Sequence, residues 1–272
     1  MTIECPPRDQ HQLYRRKRRE HHEYSYHEVM SSPHADIGWE SRLPGETTPG
    51  AAMKMTWKDL LFIHWRVDPD LLQSTLPAGL EVDTFDGSAW IALVPFTMAK
   101  TRPTFLPPLP IARNFHECNV RTYVLKDGVP GVWFYSLDAA SRLAVFGGRT
   151  LWNLNYIHAR FNVSKTERTH DYQLTRHDGK STRIKWRSGD AMPRSEFGSL
   201  RHFLTERYNL YSGKGTRLWR GAVHHEPWTL RQAELLELED DLVTEAGIQT
   251  IGAPICMAAD PVTVRGWMLK QV

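Results

Sequence analysis

The sequence predicts a β-rich α+β fold, with a mostly antiparallel barrel or sandwich at its centre and few short helices. Apolar and polar residues alternate with the period of a β-strand in many short segments. Tight-turn pairs, among them Asp86-Gly87 and Asp127-Gly128, separate several of these segments. The sequence has neither a repeat of fixed period nor a long helical pattern. Together these features favour hairpins over helical packing.

Composition narrows the classes of protein to which the chain can belong. Its 272 residues are 41% hydrophobic and 24% charged, and the net charge of +3 argues against nucleic acid as a partner. No apolar run approaches the roughly 20 residues of a membrane span, and the N-terminus has no apolar secretory segment. Cys5, Cys118 and Cys256 form no CxxC pair, which is typical of a reducing compartment. We predict a cytoplasmic protein without membrane contact, and the sequence leaves a homo-oligomer open.

Residues 1–53 differ from the rest and are predicted to form a disordered polar tail. The basic run Arg15–Arg19 invites a nucleic-acid interpretation, but the segment has seven basic and eight acidic residues. Because Met53 and Met55 stand where ordered sequence begins, an over-extended translation start is an alternative explanation of the tail. We predict a single domain over residues 54–272.

The first elements of this domain are predicted from alternation and turn residues. Leu61–Val67 alternates as a strand, and Asp68-Pro69 provides a helix cap followed by proline at the first helical position. Leu80–Phe85 and Ser88–Phe96, joined by an Asp-Gly turn, are predicted to form a hairpin. Thr101–Pro110 is rich in proline and is predicted to be a loop, either a lid over a site or a structural wrap.

The stretch Asn114–Phe161 is predicted to be a compact unit of two strands, a short helix and a third strand. Asp127-Gly128 joins the first strand to an aromatic return strand, Val132–Leu137. Asp138 is predicted to cap a helix, Ala139–Phe146, which two glycines end.

The last third of the chain is also predicted to contain mainly short strands. Tyr172–Arg176 and Thr182–Trp186 are predicted to form a hairpin, and the basic outer face of its second strand is typical of a solvated edge. Ser199 is predicted to cap a helix that runs through Tyr208. Residues 234–246 are ambiguous, because their leucine density suggests a helix while their alternation suggests a strand.

The candidate site lies on the first central strand. One face of this strand carries a carboxylate, an amide, a guanidinium and a phenol: Glu117, Asn119, Arg121 and Tyr123. Glu117 and Arg121 are four residues apart, about 13 Å between Cα atoms, so they cannot easily neutralise each other. Arg121 is therefore a candidate for binding a carboxylate, and Arg142 and Arg149 are candidate partners of Glu117. The alternative is an ordinary half-solvated sheet face with surface ion pairs.

Other constellations lead us to predict neither a metal nor a cofactor. His224 and Glu226 share a strand face, and His64 could join them as a site of two histidines and one carboxylate. We favour a hydrogen-bonded structural corner as the explanation of the same residues, because the spacing is weak evidence for a metal site and Pro227 can break the strand there. Cys118 lies on an apolar face, where a thiol is usually inert packing. The sequence has no dinucleotide-binding or Walker-type glycine loop.

From about Met55 onward the chain resembles the YqjF-like family of unknown function. The matching segments are LLFIHWRVDP, GLEVDTFDGSAWIALVPF, ECNVRTYV, GVWFYSLDA, SRLAVFGGRT, LTERYNLY and HHEPW. This family looks like a branch of the acetoacetate decarboxylase-like superfamily. The resemblance implies a cone-shaped antiparallel barrel that encloses a small-molecule pocket and is wrapped by further antiparallel strands.

The resemblance also implies which site residues are kept and which are lost. Glu117 matches the pocket glutamate of the decarboxylases, and Gly148-Arg149 match a glycine-arginine step. Tyr156 and Ile157 stand where the decarboxylases have paired lysines, the first of which forms a Schiff base. Because tyrosine cannot form an imine, decarboxylation by that route is not expected here.

Two functions follow as expectations. In the first, the chain is an enzyme on a small carboxylated or carbonyl compound, with Glu117 as general acid or base and Tyr156 donating a hydrogen bond to a developing oxyanion. The candidate substrate-binding residues are Asn119, Arg121, Arg149, Arg142 and His64. In the second, the chain is a non-catalytic ligand-binding or sensing protein, which the loss of the lysine pair favours.

Overall fold

The computed structural model describes residues 50–107 and 114–272. The strands in these ranges are β1 Met53–Lys58, β2 Leu60–Val67, β3 Glu81–Val82, β4 Ala89–Pro103, β5 Asn114–Lys126, β6 Val129–Ala139, β7 Tyr156–Lys165, β8 Thr169–Arg176, β9 Ser181–Ala191, β10 Asn209–Lys214, β11 Arg217–His224, β12 Leu230–Asp240, β13 Ile251–Ala259, β14 Val262–Gly266 and β15 Lys270–Gln271. The helices are α1 Pro69–Ser74, α2 Arg142–Leu151, α3 Leu200–Thr205 and α4 Leu242–Glu245. The predicted β-rich class with few short helices is confirmed.

Two predictions fall wholly or partly on residues outside the described ranges. The predicted disordered tail covers residues 1–53, of which the structure describes residues 50–53 alone, and residues 108–110 of the predicted loop Thr101–Pro110 lie outside the described residues. Both stay predictions over those positions. In the part of the chain that is described, no helix has the length and apolar character needed to cross a membrane.

The strands close into two rings that share β4, β5 and β6. The first ring runs β1, β14, β11, β10, β6, β5 and β4, and pairing of β4 with β1 closes it. The second ring runs β6, β7, β8, β9, β12, β13, β2, β4 and β5. Ring neighbours are antiparallel, except that β6 is parallel to β10 and to β7. This is the antiparallel barrel, wrapped by further strands, that the resemblance implies.

Strand β5 contributes residues to a different hydrophobic core on each of its two faces. Tyr123 belongs to a cluster on the first-ring side that includes Phe62 and Phe203. Cys118 and Val120 belong to the cluster on the second-ring side. The alternation predicted for this strand is therefore confirmed. It explains how one strand can contribute side chains to the interiors of both rings.

The two Asp-Gly turns lead to different pairings. Asp127-Gly128 has positive φ at both residues and joins β5 to β6 as predicted. Asp86-Gly87 also has positive φ at both residues, and Phe85 bridges Ser88 across the turn. The hairpin predicted around this second turn is wrong, because β3 is two residues long and pairs with β5 instead of β4.

Strand β4 extends further than predicted, and helix α1 begins as predicted. The side chain of Asp68 accepts hydrogen bonds from the N–H groups of Asp70 and Leu71 at 2.9 and 3.0 Å, which caps α1. The predicted loop at Thr101 begins later, since β4 continues through Pro103 in its pairing with β1. That extension is part of the closure of the first ring.

Helix α2 is displaced from the predicted range Ala139–Phe146. Strand β6 continues through Ala139, and the Ser141 hydroxyl caps the helix by accepting from the Ala144 N–H at 3.2 Å. Asp138 is not the cap, because its buried carboxylate forms an ion pair with Arg176. The two glycines expected to end the helix lie inside it.

The predicted hairpin of β8 and β9 is confirmed, but β9 is not an edge strand. Strand β12 pairs along its other side, where Arg183 lies 3.0 Å from Glu237 and Arg187 lies 2.8 Å from Glu234. The basic face of β9 thus meets acidic side chains of a neighbouring strand. This pairing also resolves the ambiguous segment, which is a strand through Asp240 followed by α4.

Candidate functional site

A cavity of about 380 Å³ lies inside the first ring. All seven strands of the ring contribute to its wall, and α2 contributes a further side. The lining is mainly aliphatic and aromatic, and it includes the indoles of Trp57 and Trp228. Its polar side chains include Glu117, Asn119, Arg121, Tyr156, Arg207 and His225. An apolar wall with few polar groups is typical of a small-molecule site.

Glu117 and Tyr156 form a buried acid–base pair in this wall. The Tyr156 hydroxyl donates to Glu117 Oε2 at 3.1 Å, and Glu117 is 2% exposed. Burial raises the pKa of Glu117 to about 8, while the Tyr156 hydrogen bond lowers it in part and the Asp138 charge raises it. The pKa of Tyr156 is also raised, first by burial and then by Glu117. Near neutral pH Glu117 therefore keeps its proton but titrates close to that range.

Helix α2 fixes the ring of Tyr156. Gly148 lies against this ring so closely that a Cβ added there would be 2.2 Å from Cδ2 of the tyrosine. The neighbouring Arg149 donates through Nε to the backbone oxygen of Tyr156 at 2.6 Å. The glycine-arginine step of the sequence thus positions the tyrosine of the acid–base pair.

The structure does not bring Arg142 or Arg149 into the cavity. Both side chains are exposed on α2, and neither belongs to the lining. The expectation that an arginine pairs with Glu117 is wrong, because the partner of this carboxyl is Tyr156. A substrate-binding role for the two arginines stays a prediction.

Asn119 and Arg121 carry hydrogen-bonding atoms that the protein itself does not satisfy. Asn119 Oδ1 and Arg121 Nε and Nη2 are buried, and none has a hydrogen-bond partner within residues 50–107 and 114–272. The guanidinium lies over two rings, with Cζ 5.3 Å from the centroid of Phe62 and 5.8 Å from that of Tyr123. In the described ranges Arg121 forms no ion pair, whereas most buried charges are paired.

His64 lies behind the cavity wall. It is fully buried, is not a lining residue, and places Nε2 2.7 Å from the Tyr123 hydroxyl. Since that hydroxyl donates to the Leu204 carbonyl at 2.8 Å, the histidine supplies the hydrogen of the His–Tyr bond. Burial, helped by the Arg121 charge, lowers the pKa of His64 to about 3. Its geometry is that of a residue positioning Tyr123, and direct substrate contact stays a prediction.

Several polar residues of the lining were not found from the sequence, among them Arg207 and His225. Arg207 follows α3 and donates through Nη1 to Asp83 at 2.6 Å and through Nε to the Phe203 carbonyl at 2.8 Å. His225 follows β11 and is 1% exposed. The HHEPW segment was a signal for His225, but the alternation argument favoured its neighbour His224.

The corner after β11 is held by backbone hydrogen bonding. His225 Nδ1 lies 2.8 Å from the Glu226 backbone oxygen, and His64 is engaged elsewhere with Tyr123. Over the described residues, no three or more His, Cys, Asp or Glu side chains are grouped to hold a metal ion. The contacts at this corner are those of a hydrogen-bonded turn.

The lining also limits the covalent chemistry available to the chain. In the parts of the chain that are described, no lysine contributes to the cavity wall. A Schiff base needs a lysine amine in contact with the carbonyl of a ligand. None of the described lining residues can therefore form a Schiff base with a ligand.

Comparisons with known proteins agree with this geometry. Residues 54–263 match the model of the DUF2071 family, described as an uncharacterized conserved protein. The chain is 40% identical over 223 residues to the uncharacterized protein YqjF of Bacillus subtilis (strain 168), covering 80% of this chain and 92% of the relative.

Solved structures share the fold at low sequence identity. The enduracididine biosynthesis enzyme MppR, with HEPES buffer bound, aligns with a TM-score of 0.60 at 13% identity, over 84% of this chain and 91% of MppR. An acetoacetate decarboxylase-like enzyme from Sphingomonas wittichii RW1 aligns with a TM-score of 0.57 at 14% identity, over 85% of this chain and 98% of that one. The chain therefore has the acetoacetate decarboxylase-like fold and belongs to the DUF2071 family, to which YqjF is related by sequence.

Proposed function

We propose that the chain binds a small carboxylate-bearing molecule in the first-ring cavity and exchanges a proton with it through Glu117 and Tyr156. Arg121 holds the carboxylate of this molecule. The aromatic and aliphatic wall takes its apolar part. The reaction class is general acid–base chemistry on a carbonyl or carboxylated compound.

The observation that carries the proposal is the guanidinium of Arg121, which forms no ion pair with a described residue and lies in a mainly apolar wall. Two of its nitrogens are buried without a hydrogen-bond partner in the described ranges. The other arginines of the lining have partners, since Arg207 pairs with Asp83 and Arg102 donates to the Leu106 carbonyl at 3.4 Å. Glu117 is largely uncharged near neutral pH. A carboxylate matches a guanidinium with two parallel hydrogen bonds and would supply the missing negative charge.

The acid–base part rests on the pair Glu117 and Tyr156. A carboxyl with a pKa of about 8 is mostly protonated near neutrality, yet it can release that proton within the physiological range. The Tyr156 hydroxyl lies 3.1 Å from the carboxyl. It can donate a hydrogen bond to an oxyanion that develops on the ligand. Burial of both groups strengthens such interactions, since water does not screen them.

The ligand of another protein with this fold supports the choice of a carboxylate. MppR has also been solved in complex with pyruvate, a small carboxylate with an adjacent carbonyl. At 13% identity this supports the choice of ligand class to test, while the absence of a lysine among the described lining residues argues against imine chemistry here.

A non-catalytic ligand-binding or sensing function is the second candidate. The same absence of a lysine favours it, because the chain keeps the anion-binding and apolar groups while lacking the nucleophile. The two functions share the carboxylate site and differ in proton transfer.

A binding titration tests the shared carboxylate site. We expect hydrocinnamate to bind to the chain, as measured by calorimetry or by fluorescence of the cavity tryptophans. Arg121→Gln is expected to weaken this binding at least about tenfold, since it removes a charge-assisted pair. Arg217→Gln, a change at an exposed arginine outside the lining, is the matched control and should bind like the wild type. Equal affinity of Arg121→Gln and wild type would refute the proposal.

Deuterium exchange separates the enzyme from the binding protein. An enzyme should accelerate exchange at the methylene carbon of phenylpyruvate in heavy water, and Glu117→Gln should abolish that acceleration. A binding protein should take up phenylpyruvate without accelerating exchange. Proton NMR of the ligand measures both outcomes directly.

A further inference from the structure

His225 is a buried polar residue of the cavity that the proposed function leaves unused. Its ring lies among three aromatic side chains, with centroids 5.9 Å from Trp57, 4.8 Å from Tyr208 and 4.8 Å from Trp228. This packing fixes the plane of the imidazole, so the direction of its two nitrogens is set before any ligand arrives.

The hydrogen bond on one side of the ring defines its tautomer. Nδ1 lies 2.8 Å from the Glu226 backbone oxygen, and a carbonyl oxygen can only accept. Nδ1 therefore carries the hydrogen, and in the neutral ring Nε2 is left with a lone pair. Burial lowers the pKa of His225 to about 4, which keeps the ring neutral near pH 7.

The neighbouring aromatic donors do not satisfy this lone pair. The Tyr208 hydroxyl donates to Glu206 Oε2 at 2.5 Å, and Trp228 Nε1 donates to the Thr205 carbonyl at 3.1 Å. Trp57 Nε1 is buried without a hydrogen-bond partner in the described ranges, so it does not reach His225 either. None of these three described donors reaches Nε2, so a donor group of a ligand in the cavity can pair with it.

Arg121 and His225 belong to the wall of one cavity. The positive charge of Arg121 contributes to the lowered pKa of His225. A ligand amine would bring a second positive charge next to Arg121 in an apolar wall, which is unfavourable. A hydroxyl group is a neutral donor and carries no such penalty.

We propose that His225 Nε2 accepts a hydrogen bond from a hydroxyl group of the ligand whose carboxylate pairs with Arg121. The ligand class is then a hydroxycarboxylate with an apolar or aromatic skeleton. This inference rests on the proposed function, because Arg121 has to hold the carboxylate for the hydroxyl to be positioned. His225 becomes the residue that selects hydroxylated acids over their deoxy counterparts.

The test compares hydrocinnamate with its α-hydroxy and β-hydroxy derivatives on the wild-type chain. An unpartnered hydroxyl in an apolar cavity weakens binding, since it loses its hydrogen bonds to water. We therefore expect at least one hydroxy acid to bind about tenfold more tightly than hydrocinnamate, the value of one good hydrogen bond. If neither hydroxy acid binds more tightly than the parent acid, the inference is overturned.

The variant His225→Phe keeps a ring in the aromatic packing and removes the acceptor. In this variant the hydroxy acid should no longer bind more tightly than hydrocinnamate. Persistence of the advantage in a folded variant, as judged by circular dichroism, would overturn the inference. The wild-type comparison stands even if the variant does not fold. Failure of hydrocinnamate itself to bind counts against the proposed function, whereas binding without a hydroxyl advantage counts against this inference alone.

Discussion

Glu117 should make the stability of the protein depend on pH. Its pKa is raised from an ordinary 4.5 to about 8, so the folded chain holds a proton that the unfolded chain releases between these values. The free energy of unfolding should then fall as the pH rises from about 5 to 8 and level off above. At about 1.4 kcal/mol per pKa unit, the decline amounts to several kcal/mol.

The variant Glu117→Gln tests this dependence because it mimics the protonated carboxyl. Urea unfolding at several pH values should show that the decline between pH 5 and 8 is largely lost, and that the variant is more stable than the wild type at high pH. Glu239→Gln, at an exposed glutamate of β12, is the control and should keep the wild-type slope. A Glu117→Gln profile parallel to the wild type would contradict a buried, protonated carboxyl.

Tyr156 should hold the pKa of Glu117 below the value that burial alone would set. Its hydroxyl donates to the carboxyl, and this hydrogen bond favours the charged form. Tyr156→Phe is therefore expected to raise the pKa of Glu117, measured by NMR titration of the labelled carboxyl carbon. Tyr172→Phe removes a hydroxyl that donates to the backbone oxygen of Glu117 at 2.7 Å, so it should have a smaller effect. A lowered Glu117 pKa in Tyr156→Phe would show that the bond favours the neutral form.

At the residue scale, the sequence predicted side chains that share one strand and missed those from other segments. The period of two placed Glu117, Asn119 and Arg121 on one face, and all three line the cavity. Arg207 and His225 reach the same cavity from connections after α3 and β11, which no local pattern brings together. The predicted pairing of Glu117 with an arginine of α2 is wrong, because the direction of those arginines depends on a helix that begins later than predicted.

In helix α2, the close contact of Gly148 with the Tyr156 ring links the helix to the cavity. Gly148→Ala would place a Cβ 2.2 Å from the Tyr156 ring, so either the helix or the ring has to move. We expect a loss of about 1–3 kcal/mol in the free energy of unfolding, as for other overpacked positions. Glu117 should also lose its tyrosine partner, which NMR titration of the carboxyl would detect.

Gly147→Ala is the matched control in the same helix. A Cβ at this position meets no atom within 4 Å, so the change should be neutral or should stabilise the helix by up to about 1 kcal/mol. Equal unfolding free energies for the two alanine variants would contradict the close contact between α2 and Tyr156.

At the element scale, the residues of a turn predicted the turn itself correctly but did not determine which strands pair. Both Asp-Gly pairs form tight turns with positive φ, as their residues require. Only the turn at residues 127–128 joins two ring strands, because the partner of β3 is β5 rather than β4. The choice between these pairings is a tertiary property, decided by which strands the rings place side by side.

At the scale of the whole molecule, a buried ion pair links the shared strand β6 to β8 of the second ring. Arg176 of β8 contacts Asp138 of the shared strand β6 at 2.5 and 2.7 Å, and it also pairs with Glu245 of α4. Asp138→Asn leaves a buried guanidinium partly uncompensated, so it should cost about 3 kcal/mol or more of unfolding free energy in urea. Glu234→Gln, which breaks the exposed pair with Arg187, is the control and should cost under about 1 kcal/mol. Similar losses in both variants would contradict the linking role.

The sequence predicted the fold class well and the ring closure poorly. Alternation and turn residues indicate many short strands, and the family resemblance implied a wrapped barrel around a pocket. Pairing of β1 with β4, and the parallel pairings of β6 with β7 and β10, join segments far apart in the chain and have no local signature. The existence of a polar cavity could thus be expected, while its full lining depended on the tertiary structure.

The most direct measurement of the central claim is a crystal structure of the chain with para-bromohydrocinnamate. The anomalous signal of bromine locates the aromatic end of the ligand without ambiguity. We predict bromine in the apolar part of the first-ring cavity and the carboxylate within hydrogen-bond distance of Arg121 Nε or Nη2. A ligand bound elsewhere, or bound in the cavity with its carboxylate turned away from Arg121, would contradict the account.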